Sequence, residues 1–233
     1  MCIIIAKDKN MRLPKESELE EAFKNNSDGA GFMYTDNGRV IIDKGYMGMA
    51  KFMARYHYLC RKYDNFNDKC LVIHCRIGTD GSNTAKNTHP YALTNSIHKL
   101  HKEHTSAEVG IAHNGIIYDY KPTASEKHHD INDTQNFIRI YLYNRYKADK
   151  AFYTRKCERD MIEDMSWSKF AILDKNDNLY TIGAFQTDEN LKFSNDSYKP
   201  YQERMKKYNC GEDTYGYGYK YKSYSQYSGW DIY

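Results

Sequence analysis

Apolar positions fall in short segments with two different periods. Ile3-Ile4-Ile5-Ala6 is a continuous apolar run and predicts a buried strand over residues 2–7. Leu71-Val72-Ile73 marks a second buried strand over 70–75. Residues 31–35 and 39–43 are strand-like runs joined by Asp36-Asn37-Gly38, and Asn-Gly between such runs is a strong hairpin signal. Residues 169–173 and 179–184, joined across 174–178, make a second hairpin. Residues 108–112 read as a strand that runs into His113-Asn114-Gly115. Helical spacing governs 16–26, closed by Ser27-Asp28-Gly29, and 48–63, with Phe52, Arg55, Tyr56 and Leu59 on one stripe. Asn132 or Asp133 can cap a helix reaching about Lys147, whose apolar face is Phe137, Ile138, Tyr141 and Leu142. A further helix is expected over 151–165, and 76–107 reads mostly as loop around a His- and Lys-rich stretch of helical character. Strands flanking groups of helices predict an α+β fold with sheets packed together between helix layers.

Composition divides the chain at about residue 208. Eight of the last 26 residues are tyrosine, interleaved with Gly, Ser and Lys, so 1–207 is read as the folded domain and 208–233 as a low-complexity tail. The 34 Lys and Arg against 31 Asp and Glu leave a net charge of +3, which does not call for a nucleic-acid partner. No apolar run approaches the roughly 20 residues of a membrane helix, and the opening run is shorter than a secretory signal requires. A cytoplasmic setting is therefore expected, with most of the 6 cysteines as free thiols; none form a Cys-x-x-Cys pair.

Four short segments are candidates for chemistry. A small residue at position 2 permits removal of the initiator Met. The chain would then start at Cys2, whose α-amine, with a reference pKa of about 7.7–8.0, can serve as base for its own thiol. By itself such a Met-Cys start reads as a small apolar residue opening a strand. Arg76 stands at a strand end beside a Gly-containing loop, placed to bind a carboxylate bidentately, although a lone arginine is more often a surface ion-pair partner. Asn114-Gly115, at another strand end, can set a side-chain amide and a backbone N–H on a developing oxyanion, or form an ordinary turn. Asn132-Asp133-Thr134-Gln135 is a helix start with an acid, or a plain N-cap.

Together and in this order, Met1-Cys2, His74 to Gly81, Asn87 to Pro90, His113 to Gly115 and Asp133-Thr134 resemble the class II glutamine amidotransferases, members of the N-terminal-nucleophile (Ntn) hydrolases. The likeness extends to about residue 200 and takes in the 167–173 segment. It implies a four-layer αββα sandwich. It implies Cys2 as nucleophile and its freed amine as general base and acid. Arg76 would bind the α-carboxylate of glutamine, and Asp133 its ammonium. Asn114 and the Gly115 N–H would form the oxyanion hole. Thr79 and Gly81 would line the substrate pocket, and His74 and His89 would brace the loop around Arg76. No cofactor or metal is implied.

The sequence also departs from the family. Ile77 stands where synthases of this class often carry an aromatic, and Asp80 where they often carry a His, so the cover over the substrate is expected to differ. No acceptor domain follows the matched segments, so released ammonia would enter a partner enzyme or be lost. Stand-alone domains of this size and composition resemble small bacteriophage members, which would place the protein in a host cytoplasm. Two alternatives stay open: a non-catalytic Ntn-fold assembly or binding protein, and an Ntn hydrolase for another γ-glutamyl or acyl amide. His98, His101 and His104 suggest a metal site less than a solvated face, because a spacing of three drifts around a helix. The tail is read as functionally mute, or as a stacking or protein-contact element.

Overall fold

The computed structural model describes residues 2–78 and 81–209, with backbone alone for 207–209. Eleven strands and seven α-helices alternate among the described residues. The strands are β1 Ile3–Lys7, β2 Ala30–Asp36, β3 Arg39–Tyr46, β4 Leu71–Cys75, β5 Tyr91–Ala92, β6 His104–Ala107, β7 Val109–Asn114, β8 Lys169–Asp174, β9 Leu179–Ile182, β10 Gln186–Asp188 and β11 Leu191–Phe193. The helices are α1 Glu16–Asn25, α2 Met49–Lys62, α3 Ile97–His101, α4 Asp133–Phe137, α5 Tyr143–Ala148, α6 Lys156–Ser166 and α7 Tyr201–Asn209; a π-turn, Ile138–Leu142, joins α4 to α5. Residues 1–200 form one compact unit, and a second begins at Tyr201. The tail from residue 210 lies outside the described residues. No helix among the described residues is long and apolar enough to cross a membrane.

The strands form two antiparallel sheets, one in the order β10-β11-β1-β4-β2-β3-β6 and one in the order β5-β7-β8-β9. Alternation of side chains along each strand sends neighbours to opposite faces. Ile3, Ile5, Phe32, Tyr34 and Ile73 pack with Leu19 and Phe23 of α1 and Phe52, Tyr56 and Leu59 of α2. Their sequence neighbours Ile4, Ala6, Met33 and Val72 turn the other way and meet Ala112, Ala171 and Leu173 of the smaller sheet. The far face of that sheet, with Ile111, Phe170 and Ile172, packs on Phe137, Ile138 and Leu142, and on Ile162 of α6. The runs read as continuously apolar, β1 and β4, are therefore buried on both faces.

The predicted hairpins and most predicted helices are present. Asn37 and Gly38 both take left-handed backbone, at φ 48° and 68°, as the twist of a tight β2–β3 turn requires. Asn132, rather than Asp133, is the cap of α4: its side chain accepts from the Gln135 N–H, and Gln135 reaches back to the Asn132 N–H, each at 2.9 Å. The fourth predicted helix starts late, since residues 152–154 form a separate 3₁₀ turn before α6. The stretch 76–107, read mostly as loop, holds β5 and β6 as well as α3. Two strands follow the second hairpin, β10 and β11, and β11 pairs with β1.

Candidate active site

Register brings the sequence-distant motifs together. In the β1–β4 ladder Ile3 lies opposite Cys75, so the residue before β1, Cys2, comes beside the residues after β4, Arg76 and Ile77. The Cys2 Sγ accepts from the Ile77 N–H and approaches the Ile77 carbonyl, both at 3.4 Å. Burial pushes the Cys2 thiol above its ordinary pKa, opposed by that backbone hydrogen bond and by the positive charge of Arg76. In the β7–β8 ladder Asn114 lies opposite Lys169, which sets Gly115 against Ser168. Gly115 has φ 154°, and a Cβ there would lie 2.1 Å from the Ser168 hydroxyl oxygen, so no residue with a side chain fits.

Arg76 is buried on the loop after β4. Its Nη1 donates to Asn83 Oδ1 at 3.2 Å, and its guanidinium lies over Gly78. The Asp28 carboxylate ties this loop down, accepting from the Gly78 N–H at 2.8 Å and from Asn83 Nδ2 at 2.9 Å. Asp133, in the first turn of α4, accepts from the Ile117 N–H at 2.6 Å and the Thr134 N–H at 2.8 Å. Burial raises the pKa of this carboxyl, and the two backbone donors oppose the rise.

His74, His89 and His113 form a buried cluster beneath these groups. His74 and His89 stack at 4.2 Å; His74 Nε2 meets the His113 carbonyl at 2.9 Å; His113 Nδ1 meets Thr134 Oγ1 at 2.7 Å. A carbonyl only accepts, so His74 donates from Nε2. Burial holds all three rings neutral, with His74 and His113 pushed down to about 3 and His89 also lowered. They contribute shape and neutral hydrogen bonds, not charge.

Two cavities meet at Cys2 and Gly115. The inner one, only about 20 Å³, is walled by Arg76, Asp133 and the histidines at 89 and 113. The outer one, 560 Å³, takes in Cys2, Asn114 and Gly115 at its floor and Tyr118, Met165 and Trp167 at its rim. Of the sequence-predicted residues, Cys2, Arg76, His89, Asn114, Gly115 and Asp133 thus line one or other of two cavities that share Cys2 and Gly115, with His74 packed against His89. Gly81 does not line them: it takes left-handed backbone at φ 72° and packs against Asn87 and Asn132. Its place is that of a tight turn packed on Asn132, a residue of the inner cavity wall. Thr79 lies outside the described residues.

Sequence reasoning missed the residues that hold this arrangement. Ser194, just past β11, is buried, and its hydroxyl oxygen accepts from Asn114 Nδ2 and from the Ile4 N–H, both at 2.8 Å. Its carbonyl accepts from Lys169 Nζ at 2.6 Å, and Asn195 Nδ2 donates to the Cys2 carbonyl at 2.6 Å. Residues 194–195 therefore clamp the ends of β1, β7 and β8 together at the site. Asp28 and Asn83 do the same for the Arg76 loop. A Ser-Asn pair after a three-residue strand, or an Asn in a polar loop, carries no signal in a single sequence. The histidine spacing dissolves in the fold: His98 and His101 sit on α3, while His104 begins β6 and contacts the Asp43 carboxylate at 2.8 Å.

No curated protein matches the chain. The family model for class II glutamine amidotransferases matches residues 19–157, more than half of the sequence and the part that carries Arg76, Asn114, Gly115 and Asp133. With that match the chain belongs to the class II glutamine amidotransferases.

Proposed function

We propose that this protein hydrolyses the side-chain amide of glutamine through a thioester on Cys2, and that its layering is the αββα sandwich of the Ntn hydrolases. The observation that carries the reading is the convergence of a thiol, a buried guanidinium, a carboxylate and a strand-end Asn-Gly on two cavities that share Cys2 and Gly115. These groups come from four separate stretches of chain.

Removal of Met1 frees the Cys2 amine. An ammonium beside the thiol favours the thiolate, opposing the effect of burial, and the neutral amine can take the thiol proton directly. The sulfur attacks the amide carbon of glutamine, and the oxyanion that forms is met by the Gly115 N–H and the Asn114 amide. Nδ2 carries two N–H groups; one is spent on Ser194 and the other remains for the oxyanion. The C–N bond then breaks, and the amine proton passes to the departing ammonia. Water, deprotonated by the same amine, attacks the thioester and releases glutamate and the thiol. Arg76 and Asp133 hold the α-carboxylate and α-ammonium through these steps. The ammonia is free to pass to a partner enzyme.

A non-catalytic binding role draws on one observation, the narrowness of the inner pocket. At about 20 Å³ it holds roughly one water, so glutamine enters only if the pocket widens. Turnover decides between the two readings. Release of ammonia from glutamine is expected from the wild-type protein and is expected to vanish in Cys2→Ala, with Cys2→Ser leaving at most a trace because a hydroxyl is far less ionised than a thiol. Unchanged turnover in Cys2→Ala contradicts the mechanism.

A further inference from the structure

The outer cavity is far larger than the proposed reaction needs. Ammonia is about the size of water, whose share of liquid volume is about 30 Å³, yet the space beyond Cys2 measures 560 Å³. Its position relative to the bond being broken follows from the walls. In the proposed reaction the amino-acid head of the substrate lies toward Arg76 and Asp133, with the inner pocket widened to admit it, and the carbonyl oxygen lies toward Asn114 and Gly115. The remaining substituent of the carbonyl carbon, the leaving nitrogen, faces the outer cavity.

The rim is aromatic and costly to keep. Trp167 ends α6 with left-handed backbone at φ 51°, a place where glycine is the usual residue, and it is 93% exposed. Tyr118, on the same lining, is 71% exposed, and Met165 at the end of α6 is exposed too. An indole so exposed adds little to the stability of the fold, while its backbone is strained. Exposed rings lining one cavity suit contact with a flat apolar group. Asp119 is the charged residue on the described lining, which disfavours a leaving group that carries its own carboxylate.

We propose that the outer cavity is a leaving-group subsite and that the protein cleaves N-substituted γ-glutamyl amides whose amine carries an uncharged aromatic group. This rests on the reading of Cys2 as nucleophile. The bond chemistry is unchanged: the thioester forms at the same carbon, the C–N bond breaks, and an arylalkyl amine leaves in place of ammonia with the proton held by the Cys2 amine. Trp167, Tyr118 and Met165 would determine specificity without touching the reacting atoms.

The test measures kcat/KM for glutamine, γ-glutamylmethylamide, γ-glutamylbenzylamide and γ-glutamylphenylalanine on the mature protein. The two simple secondary amides share a bond type, so their ratio isolates the ring. The benzylamide is expected to exceed the methylamide by tenfold or more and to exceed γ-glutamylphenylalanine, which adds a carboxylate. Trp167→Gly, which relieves the backbone, and Tyr118→Ala are each expected to remove most of that preference while glutamine hydrolysis stays within about twofold. Equal rates for benzylamide and methylamide overturn the proposal, as does a loss in the two variants that is the same for every substrate; Cys2-dependent glutamine hydrolysis would then leave the catalytic reading standing. Absence of Cys2-dependent cleavage of all four compounds overturns both.

Discussion

The two cavities that meet at Cys2 are built on opposite principles. On the inner side most of the recognition groups are held by hydrogen bonds: Arg76 to Asn83, Asn83 to Asp28, Asp133 to two backbone N–H groups, and one nitrogen of each histidine to Thr134 or a carbonyl. On the outer side the walls are exposed rings and thioether chains with few fixed contacts. A wired, narrow pocket recognises one constant group by hydrogen bonds, and it rejects analogues because unpaired buried partners are expensive. An open aromatic mouth selects by apolar contact and shape instead, without fixed hydrogen bonds. In the proposed reaction the difference separates the constant amino-acid head of a substrate from its variable leaving group.

The largest effect is expected next to the shared wall, at Asn114 on the outer side. Asn114→Ala removes one oxyanion donor and should lower kcat by roughly 10²–10³, about 2.7–4 kcal/mol, with a smaller change in KM. Steady-state kinetics on glutamine check this. A rise in KM with kcat intact would move Asn114 out of the transition state and into ground-state binding.

Next in size is a change in the inner pocket. Arg76→Lys keeps the charge but loses the planar fork, and a hydrogen bond to a charged group is worth about 1.5–3 kcal/mol. KM for glutamine should rise by roughly tenfold or more, with kcat less affected. The same factor should apply to any γ-glutamyl amide, because this side of Cys2 does not see the leaving group.

A smaller effect is expected one bond further out. Ser194→Ala removes the hydroxyl that holds the Asn114 amide, a neutral hydrogen bond worth about 0.5–1.5 kcal/mol. It should reduce kcat by about tenfold or less and leave KM near its original value. In Asn114→Ala the same change should do almost nothing further, since Ser194 acts through that amide. Additive losses in the double variant would show that Ser194 acts only on the fold.

The smallest effect per residue concerns acid stability. His74 and His113 are held at about 3 when folded, against about 6.5 when unfolded, and His89 is lowered as well. Below 6.5 the unfolded chain takes up protons that the folded chain refuses. Stability present above 6.5 is therefore lost as pH falls from there toward 3. Between pH 7 and 6 each ring should cost under about 1 kcal/mol, and lower pH should cost more. Urea unfolding across this range should be shallower in dependence for His113→Asn than for wild type.

Much of this architecture is legible in the sequence because its central elements are long and strongly patterned. The 3–6 and 71–73 apolar runs are the doubly buried strands β1 and β4, and Asn37-Gly38 is the turn it resembles. What escapes is short or polar. β5 has two residues, β10 and β11 three each, so no period can develop. β6 reads His-Thr-Ser-Ala because it is an edge strand at the end of its sheet. At the site, Cys2, Arg76, Asn114, Gly115 and Asp133 are legible as ordered motifs, and ladder register supplies the distances that spacing cannot. Ser194, Asn83 and Asp28 stay hidden because their roles exist only through contacts made by remote segments.

The central claim is that a free-amine Cys2 is the nucleophile, and intact-mass spectrometry of active protein tests it most directly. Purified wild-type protein would be weighed before and after treatment with a glutamine analogue carrying an electrophilic ketone at the amide carbon. The account predicts a starting mass lacking Met1, one added γ-glutamyl-type group that maps by fragmentation to the N-terminal cysteine, and loss of glutamine hydrolysis in step with labelling. Protein that retains Met1 and still hydrolyses glutamine, or a label that maps to any residue other than Cys2, would contradict it.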